Sequence, residues 1–147
     1  MIIICDIDGV LADLSHRLGH IHGGEPPDWD TFFDKCDKDK PIQPMIEFLR
    51  SICDAESIHY ITGRPERTRA KTIAWFREYG IPFIDGVDCL WMRKDGDYRT
   101  DVAVKREIFK EHFNPLNVRV VFEDREQVVE MWRAEGLLCL QPCEGNY

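Results

Sequence analysis

The chain has 147 residues, 44% of them hydrophobic and 31% charged, with a formal net charge of −8. A chain of that length is one ordinary globular domain that buries about two thirds of its unfolded surface. No window nears the roughly 18 apolar residues of a membrane span. The acidic balance argues against a protein that coats nucleic acid through its phosphates, though not against one that grips a single terminal phosphate.

The N-terminus has no basic n-region, and its apolar run meets aspartate within a few residues, so it does not read as a signal peptide. A cytoplasmic location is expected. Cysteines at 5, 36, 53, 89, 139 and 143 form no C-x-x-C pair. Three of them sit inside apolar runs, where a thiol behaves as a small core residue.

In chain order, "IIIC" (2–5) reads as a buried strand. The stretch 13–44 then departs from any regular pattern, with Gly23-Gly24, Pro26-Pro27, Trp29, Phe32, Phe33 and the charge-dense end "DKCDKDKP". It is too long and too aromatic for a plain connection. It is expected to be a small cap, partly helical near "WDTFFDKC", over the mouth of the sheet. "PMIEFLRSICDA" has helical spacing, with Pro44 at its start. "SIHYIT" (57–62) predicts a second strand, and "PERTRAKTIAWFREYG" a helix punctuated by Pro65 and Gly80. "CLWM" (89–92) predicts a third strand, and "DVAVKREIFKEHF" a helix with Asp101 suited to its N-cap. "VRVVFE" (118–123), "REQVVEMWRAEG" and "LLCL" (137–140) complete the series as strand, helix and strand. Alternating strands and helices imply parallel strands joined by right-handed crossovers. The expected fold class is α/β, a Rossmann-like, doubly wound, mostly parallel five-stranded sheet in one domain over 1–147.

In such sheets ligands bind beyond the carboxyl ends of the strands. The first strand delivers Asp6 and Asp8, the second Thr62, Gly63 and Arg64, and the fourth Glu123, Asp124 and Arg125. Lys105 lies early in the helix that Asp101 opens. Each residue singly could be a cap, a turn or a solvated charge, and Arg67, Arg69, Lys71 and Arg77 suit a solvated helix face. Their joint placement at strand ends is what points to chemistry. The chemistry that fits is phosphoryl transfer. A carboxylate can attack phosphorus to give an aspartyl phosphate. Clustered carboxylates and an incoming phosphate need a cation between them, and all-oxygen ligands suit Mg²⁺. Fixed donors meet the charge on the phosphoryl oxygens. A second carboxylate two residues on can protonate the leaving oxygen and later activate water.

D-x-D-G after the first strand, Thr after the second, Lys on a later helix and an acidic pair after the fourth resemble the haloacid dehalogenase superfamily of phosphatases. "DIDGVLAD" matches the first motif, with Val10 where threonine is commoner. "YITGRPE", "RTDVAVKREIFKEHF" and above all "EDREQVVEMWRAEG…C.Q…..GNY" are similar to the 3′-phosphatase domains of T-even phage polynucleotide kinase/phosphatases. That resemblance implies Asp6 as nucleophile and Mg²⁺ ligand, and Asp8 as general acid/base with its carbonyl on the metal. It implies Thr62, Gly63 and Lys105 at the phosphate, Arg17 and Arg64 as activity-supporting arginines, and Asp101 as a support. Asp124 completes the metal site. Glu123 stands where the family has aspartate, leaving open which acid of the pair faces the metal.

No G-x-x-x-x-G-K-[ST] occurs, so a phosphatase without a kinase domain is expected, with a separate kinase or ligase as a partner. The leading expectation is a Mg²⁺-dependent phosphomonoesterase acting on 3′-phosphorylated nucleic-acid ends in repair. The alternative is a nucleotidase acting on free (deoxy)nucleoside monophosphates. A receiver-type phospho-aspartate switch carries similar groups, but its phosphorylated aspartate follows the third strand, and here Asp8 would have no task.

Overall fold

The computed structural model describes residues 1–23, 26–84 and 89–145. Gly24, and Asn146 and Tyr147 of the C-terminal motif, lie outside the described residues.

Five parallel strands form the sheet: β1 (Ile2–Cys5), β4 (Ser57–Pro65), β5 (Leu90–Arg93), β6 (Val118–Phe122) and β7 (Cys139–Leu140), in the order β5-β4-β1-β6-β7. The α/β, doubly wound fold expected from the sequence is the fold observed. β1 is central because its four residues are apolar on both faces, as a strand covered on both sides requires. Ile3 and Cys5 point into one core with Ile46 and Leu49 of α3 (Gln43–Ile52) and Trp75 and Phe76 of α4 (Arg69–Tyr79). Ile4 points into the other, with Phe109 of α5 (Asp101–His112) and Val128, Val129 and Trp132 of α6 (Glu126–Ala134). The chain steps from β1 to β4 and β5 on one side, then returns to β6 and β7 on the other. The topological switch therefore lies between β1 and β6.

The sequence-based boundaries shift where local chemistry intervenes. The second strand runs on through Thr62-Gly63-Arg64 to Pro65, with an irregularity in its pairing to β5. The following helix begins only at Arg69, after a 3₁₀ turn at Glu66–Thr68, and ends at Gly80 with φ +61°. The last strand is only two residues long. Asp101 is not the cap of α5: Thr100 is, its hydroxyl accepting from the Ala103 N–H at 3.3 Å. Asp101 is thereby left available for other partners.

Residues 13–44 fold as short pieces: a 3₁₀ turn at Ser15–Arg17, α1 (Gly19–His22), α2 (Trp29–Asp34) and a second 3₁₀ turn at Cys36–Lys38. An antiparallel pair, β2 (Ala12–Asp13) with β3 (Lys40–Pro41), closes the segment at its base. Leu14, Ile21 and Phe32 give it a small core of its own. Arg67 ties α2 to the main body by donating to Asp30 at 2.7 Å and Asp34 at 2.8 Å, and Lys71 donates to the Asp34 carbonyl. The solvated-face reading of Arg67 and Lys71 is thus incomplete.

All six cysteines are free thiols, and Cys5, Cys36, Cys89 and Cys139 are buried. No described helix is long and apolar enough to cross a membrane.

Trp132 is 1% exposed, and its indole N–H has no hydrogen-bond partner among the described residues. Trp132→Ala is expected to cost about 3–5 kcal/mol in urea unfolding. Trp132→Phe is expected to cost much less, because removing an unsatisfied buried donor offsets part of the lost packing.

Candidate active site

The polar residues of the site appear where the apolar strands stop. Cys5 is in register with Phe122, so Asp6 and Glu123 emerge side by side, and the Asp6 N–H still donates to the Phe122 carbonyl at 2.9 Å. The chain then turns sharply. The Ile7 carbonyl accepts from the N–H groups of Leu11 and Ala12, and Gly9 adopts φ +80°. The Asp124 carboxylate fills the space that a side chain at Gly9 would need. Glycine is thus required there twice over, by conformation and by the acid beside it. The Asp124 backbone carbonyl accepts from Gln141 Nε2 at 2.7 Å and from the Gly145 N–H at 3.0 Å. Two residues of the C-terminal motif therefore act on this acid.

The two aspartates of the D-x-D pair face different company. Asp8 Oδ1 accepts from Arg17 at 2.6 Å and from Arg64 at 2.6 and 3.0 Å. Both guanidiniums also reach Asp39, Arg17 through bonds of 2.8 and 2.7 Å and Arg64 at 2.9 Å. Two carboxylates and two guanidiniums form a neutral, buried quartet, extended by His16 on Asp39 at 2.8 Å. Arg17 is also packed over the Phe32 ring at 4.2 Å. Burial alone would raise the Asp8 pKa, but the two arginines hold it at about 2. Asp39 is the reverse case: burial lifts it above the usual carboxylate range against the pull of Arg17.

Asp6 lies in an acidic half. Lys105, 1% exposed, is shared between Asp6 at 2.9 Å and Glu123 at 2.7 Å. Asp6, Glu123 and Asp124 each bring a carboxylate oxygen within 4.8 Å of the others. The other Asp6 oxygen, Oδ1, is buried with no hydrogen-bond partner among the described residues. Burial and the Glu123 charge push the Asp6 carboxyl well above its usual range, with Lys105 opposing. Burial likewise raises Glu123. Lys105 moves up despite its burial, because Asp6 and Glu123 favour its charge. Two carboxylates sharing one ammonium leave a negative excess and an orphaned oxygen. Both suit a hard divalent cation with oxygen ligands. Both Glu123 oxygens already accept, from Lys105 at 2.7 Å and from the Arg125 N–H at 3.4 Å, whereas Asp6 keeps Oδ1 for such an ion, with Asp124 beside it.

A third cluster braces the floor. Asp101 accepts from Arg93, and from Arg125 at 2.7 Å. Its carboxylate lies so close to Gly63 that a Cβ there would sit 2.6 Å from Oδ1. Burial would raise Asp101, but Lys105, Arg125 and Arg93 lower it. Thr62 is fully buried, with its hydroxyl accepting from the Arg64 N–H at 3.2 Å.

A cleft of about 430 Å³ opens onto Asp6, Asp8 and Gly63, with Trp29, Phe32 and Phe33 of α2 on one wall and Asp95–Asp101 on another. Arg17, Arg64, Thr62 and Lys105 stand behind this surface. Asp39 and Arg93 were not foreseen. Asp39 was hidden among the other charges of "DKCDKDKP", and Arg93 was one basic residue after an edge strand. Only the burial of Arg17 and Arg64 reveals the need for a second acid.

Known proteins resemble this chain in sequence and in fold. The sequence profile of the family described as "Polynucleotide kinase PNKP phosphatase domain" matches residues 1–147. Chains in structures of the Pnkp1/Rnl/Hen1 RNA repair complex superpose with TM-scores of 0.79 and 0.78 at 30% and 31% identity, over 99% of this chain. A protein of Autographa californica nuclear polyhedrosis virus, named as a bifunctional polynucleotide kinase/RNA ligase, is 26% identical over 89% of this chain. The class C acid phosphatase of Bacillus anthracis shares the fold, with a TM-score of 0.67 at 19% identity. The chain spans 43% of the first repair-complex chain and 17% of the viral protein.

The quartet makes Asp39 a stability residue. Asp39→Ala leaves two buried guanidiniums facing one carboxylate and is expected to cost about 3–5 kcal/mol in urea unfolding. A loss below about 1 kcal/mol would mean that the quartet is not coupled as drawn.

Proposed function

The chain belongs to the family of polynucleotide kinase phosphatase domains, and from that premise we propose that it removes the phosphate from 3′-phosphorylated nucleic-acid or nucleotide ends. The observation that carries this reading is the division of labour within the D-x-D pair, with Asp6 in an acidic half and Asp8 in an arginine-clamped one. Asp6 is the nucleophile: its oxygen forms a bond to phosphorus while the bond to the sugar oxygen breaks. Asp8 gives that oxygen a proton, then takes one from the water that cleaves the aspartyl phosphate. Because Arg17 and Arg64 keep Asp8 ionised at rest, Asp8 first takes from a singly protonated phosphoester the proton that it passes to the leaving oxygen. Lys105 and the Thr62 hydroxyl stand behind the reacting centre, and Arg17 and Arg64 act by aiming Asp8.

Mg²⁺ is the ion we assign to the acidic half, held by Asp6 and Asp124 with the Asp8 carbonyl. When bound it would screen the carboxylates from the phosphate and keep Asp6 ionised. A nucleotidase acting on free nucleoside monophosphates is the second reading. It is favoured by the cleft lining, where Asp6, Asp8, Asp30, Asp95, Asp97 and Asp101 offset the cations.

Phosphate release should be measured with a 3′-phosphorylated oligonucleotide, its 5′-phosphorylated twin and both mononucleotides. Faster turnover of the 3′-phosphorylated substrates than of their 5′ counterparts is expected, with Asp6→Asn folded and inactive. Equal or faster turnover of 5′-mononucleotides would remove the end-healing reading. Magnesium should also raise the Tm of the wild type by mass action, and much less that of Asp124→Asn. An equal rise in both would place the ion elsewhere.

A further inference from the structure

Tyr98 is 93% exposed, the largest exposure among the large apolar side chains described, yet its backbone is pinned. Arg93 donates to the carbonyls on either side of it, Asp97 at 3.0 Å and Arg99 at 2.6 Å. Arg99 closes back on Asp97 at 2.7 Å. The loop thus anchors the backbone that carries an aromatic ring out into water, an arrangement from which folding gains nothing. Across the cleft, Trp29 is 44% exposed although it is also anchored, stacked on Phe33 at 6.0 Å and edge-on to Phe32 at 5.6 Å. Both rings line the cleft that opens on Asp6 and Asp8.

Most of the described cations of the same cleft are already engaged. Arg67 is bound by Asp30 and Asp34, Arg99 by Asp97 and Glu107, and Arg125 by Asp101. Among the described residues the walls therefore offer two aromatic rings and one loosely paired cation, Lys94, 3.9 Å from Glu107, which is no continuous stripe of positive charge. A polymer backbone is tracked by such a stripe, whereas a base is held by stacking, which is indifferent to base identity and to net charge.

We propose that the cleft recognises its substrate by the terminal nucleobase, stacked on Trp29 and Tyr98, and that the chain beyond the last one or two nucleotides contributes little. This inference rests on the nucleic-acid or nucleotide reading above. It makes the substrate class a nucleotide-sized end, whether free or at the tip of a strand.

The test compares a 3′-phosphorylated oligonucleotide of about 15 nucleotides, the same oligonucleotide with an abasic terminal sugar, and a 3′-phosphorylated dinucleotide. The wild type should prefer the intact end over the abasic one by about tenfold in kcat/KM. That ratio should fall towards one in Trp29→Ala and in Tyr98→Ala, and survive in Trp29→Phe. The exposure of Tyr98 ensures that its variant folds. The dinucleotide should match the longer strand within about threefold, with a shallow salt dependence. An intact-to-abasic ratio near one in the wild type, or a ratio unchanged in both alanine variants, overturns the inference. So does a strong, salt-sensitive preference for the longer strand. Those outcomes leave the phosphatase reading standing. If the wild type releases phosphate from glycerol 2-phosphate and from none of the nucleotide substrates, the nucleic-acid reading itself has failed, and this inference with it.

Discussion

Buried carboxylates crowded at one edge of the sheet are the constraint on which the rest of this structure depends. Asp6, Asp8, Asp39, Glu123 and Asp124 are each 8% exposed or less. Like charges in that arrangement cannot all remain ionised without compensation. Arg17, Arg64, Arg93 and Lys105, buried at the same edge, supply most of it. The compensation is unequal from one side of the site to the other, and that inequality separates two chemically identical aspartates.

On the Asp8 side, two arginines and two aspartates come out neutral. A neutral, mutually bonded quartet can be closed off from water, and Arg17 and Arg64 are closed off completely. Its cost is that removing any one member strands a charge. On the Asp6 side, one lysine is shared by two carboxylates with a third acid beside them, and one Asp6 oxygen has no donor among the described residues. Such a half is finished only by something positive from outside. One side of the site is closed and charge-balanced, and the other keeps a buried Asp6 oxygen with no partner among the described residues.

The segment 13–44 is tied to this arrangement and not merely laid over it. It carries both Arg17 and Asp39, half of the quartet, so its folding and the orientation of Asp8 are one event. The short β2–β3 pairing brings Asp39 back beside Arg17, and the Trp75 indole holds the Asp39 carbonyl at 2.9 Å. α2, on the same segment, turns Trp29 and Phe33 towards the cleft. Positioning of Asp8 and the shape of the entrance therefore share one structural origin.

The amino-acid sequence by itself determined the sheet, its strands and their order of appearance, because hydrophobic period and helix punctuation are local and Pro44 and Gly80 mark their elements plainly. It also placed Asp6, Asp8, Thr62, Gly63, Lys105, Glu123 and Asp124 at one rim, since a parallel sheet gathers its strand ends whatever the side chains do. Tertiary structure alone decided which charges meet. Asp39 is 22 residues from Arg17 and 25 from Arg64, and no spacing rule connects them. That Thr100 caps α5, so that Asp101 can hold Arg93 and Arg125 beneath Gly63, was likewise invisible in a string where both residues suit a cap. Ion pairs in a buried site are chosen by desolvation, which penalises every unmatched charge. Which charges become buried together is known only once the chain has closed on itself.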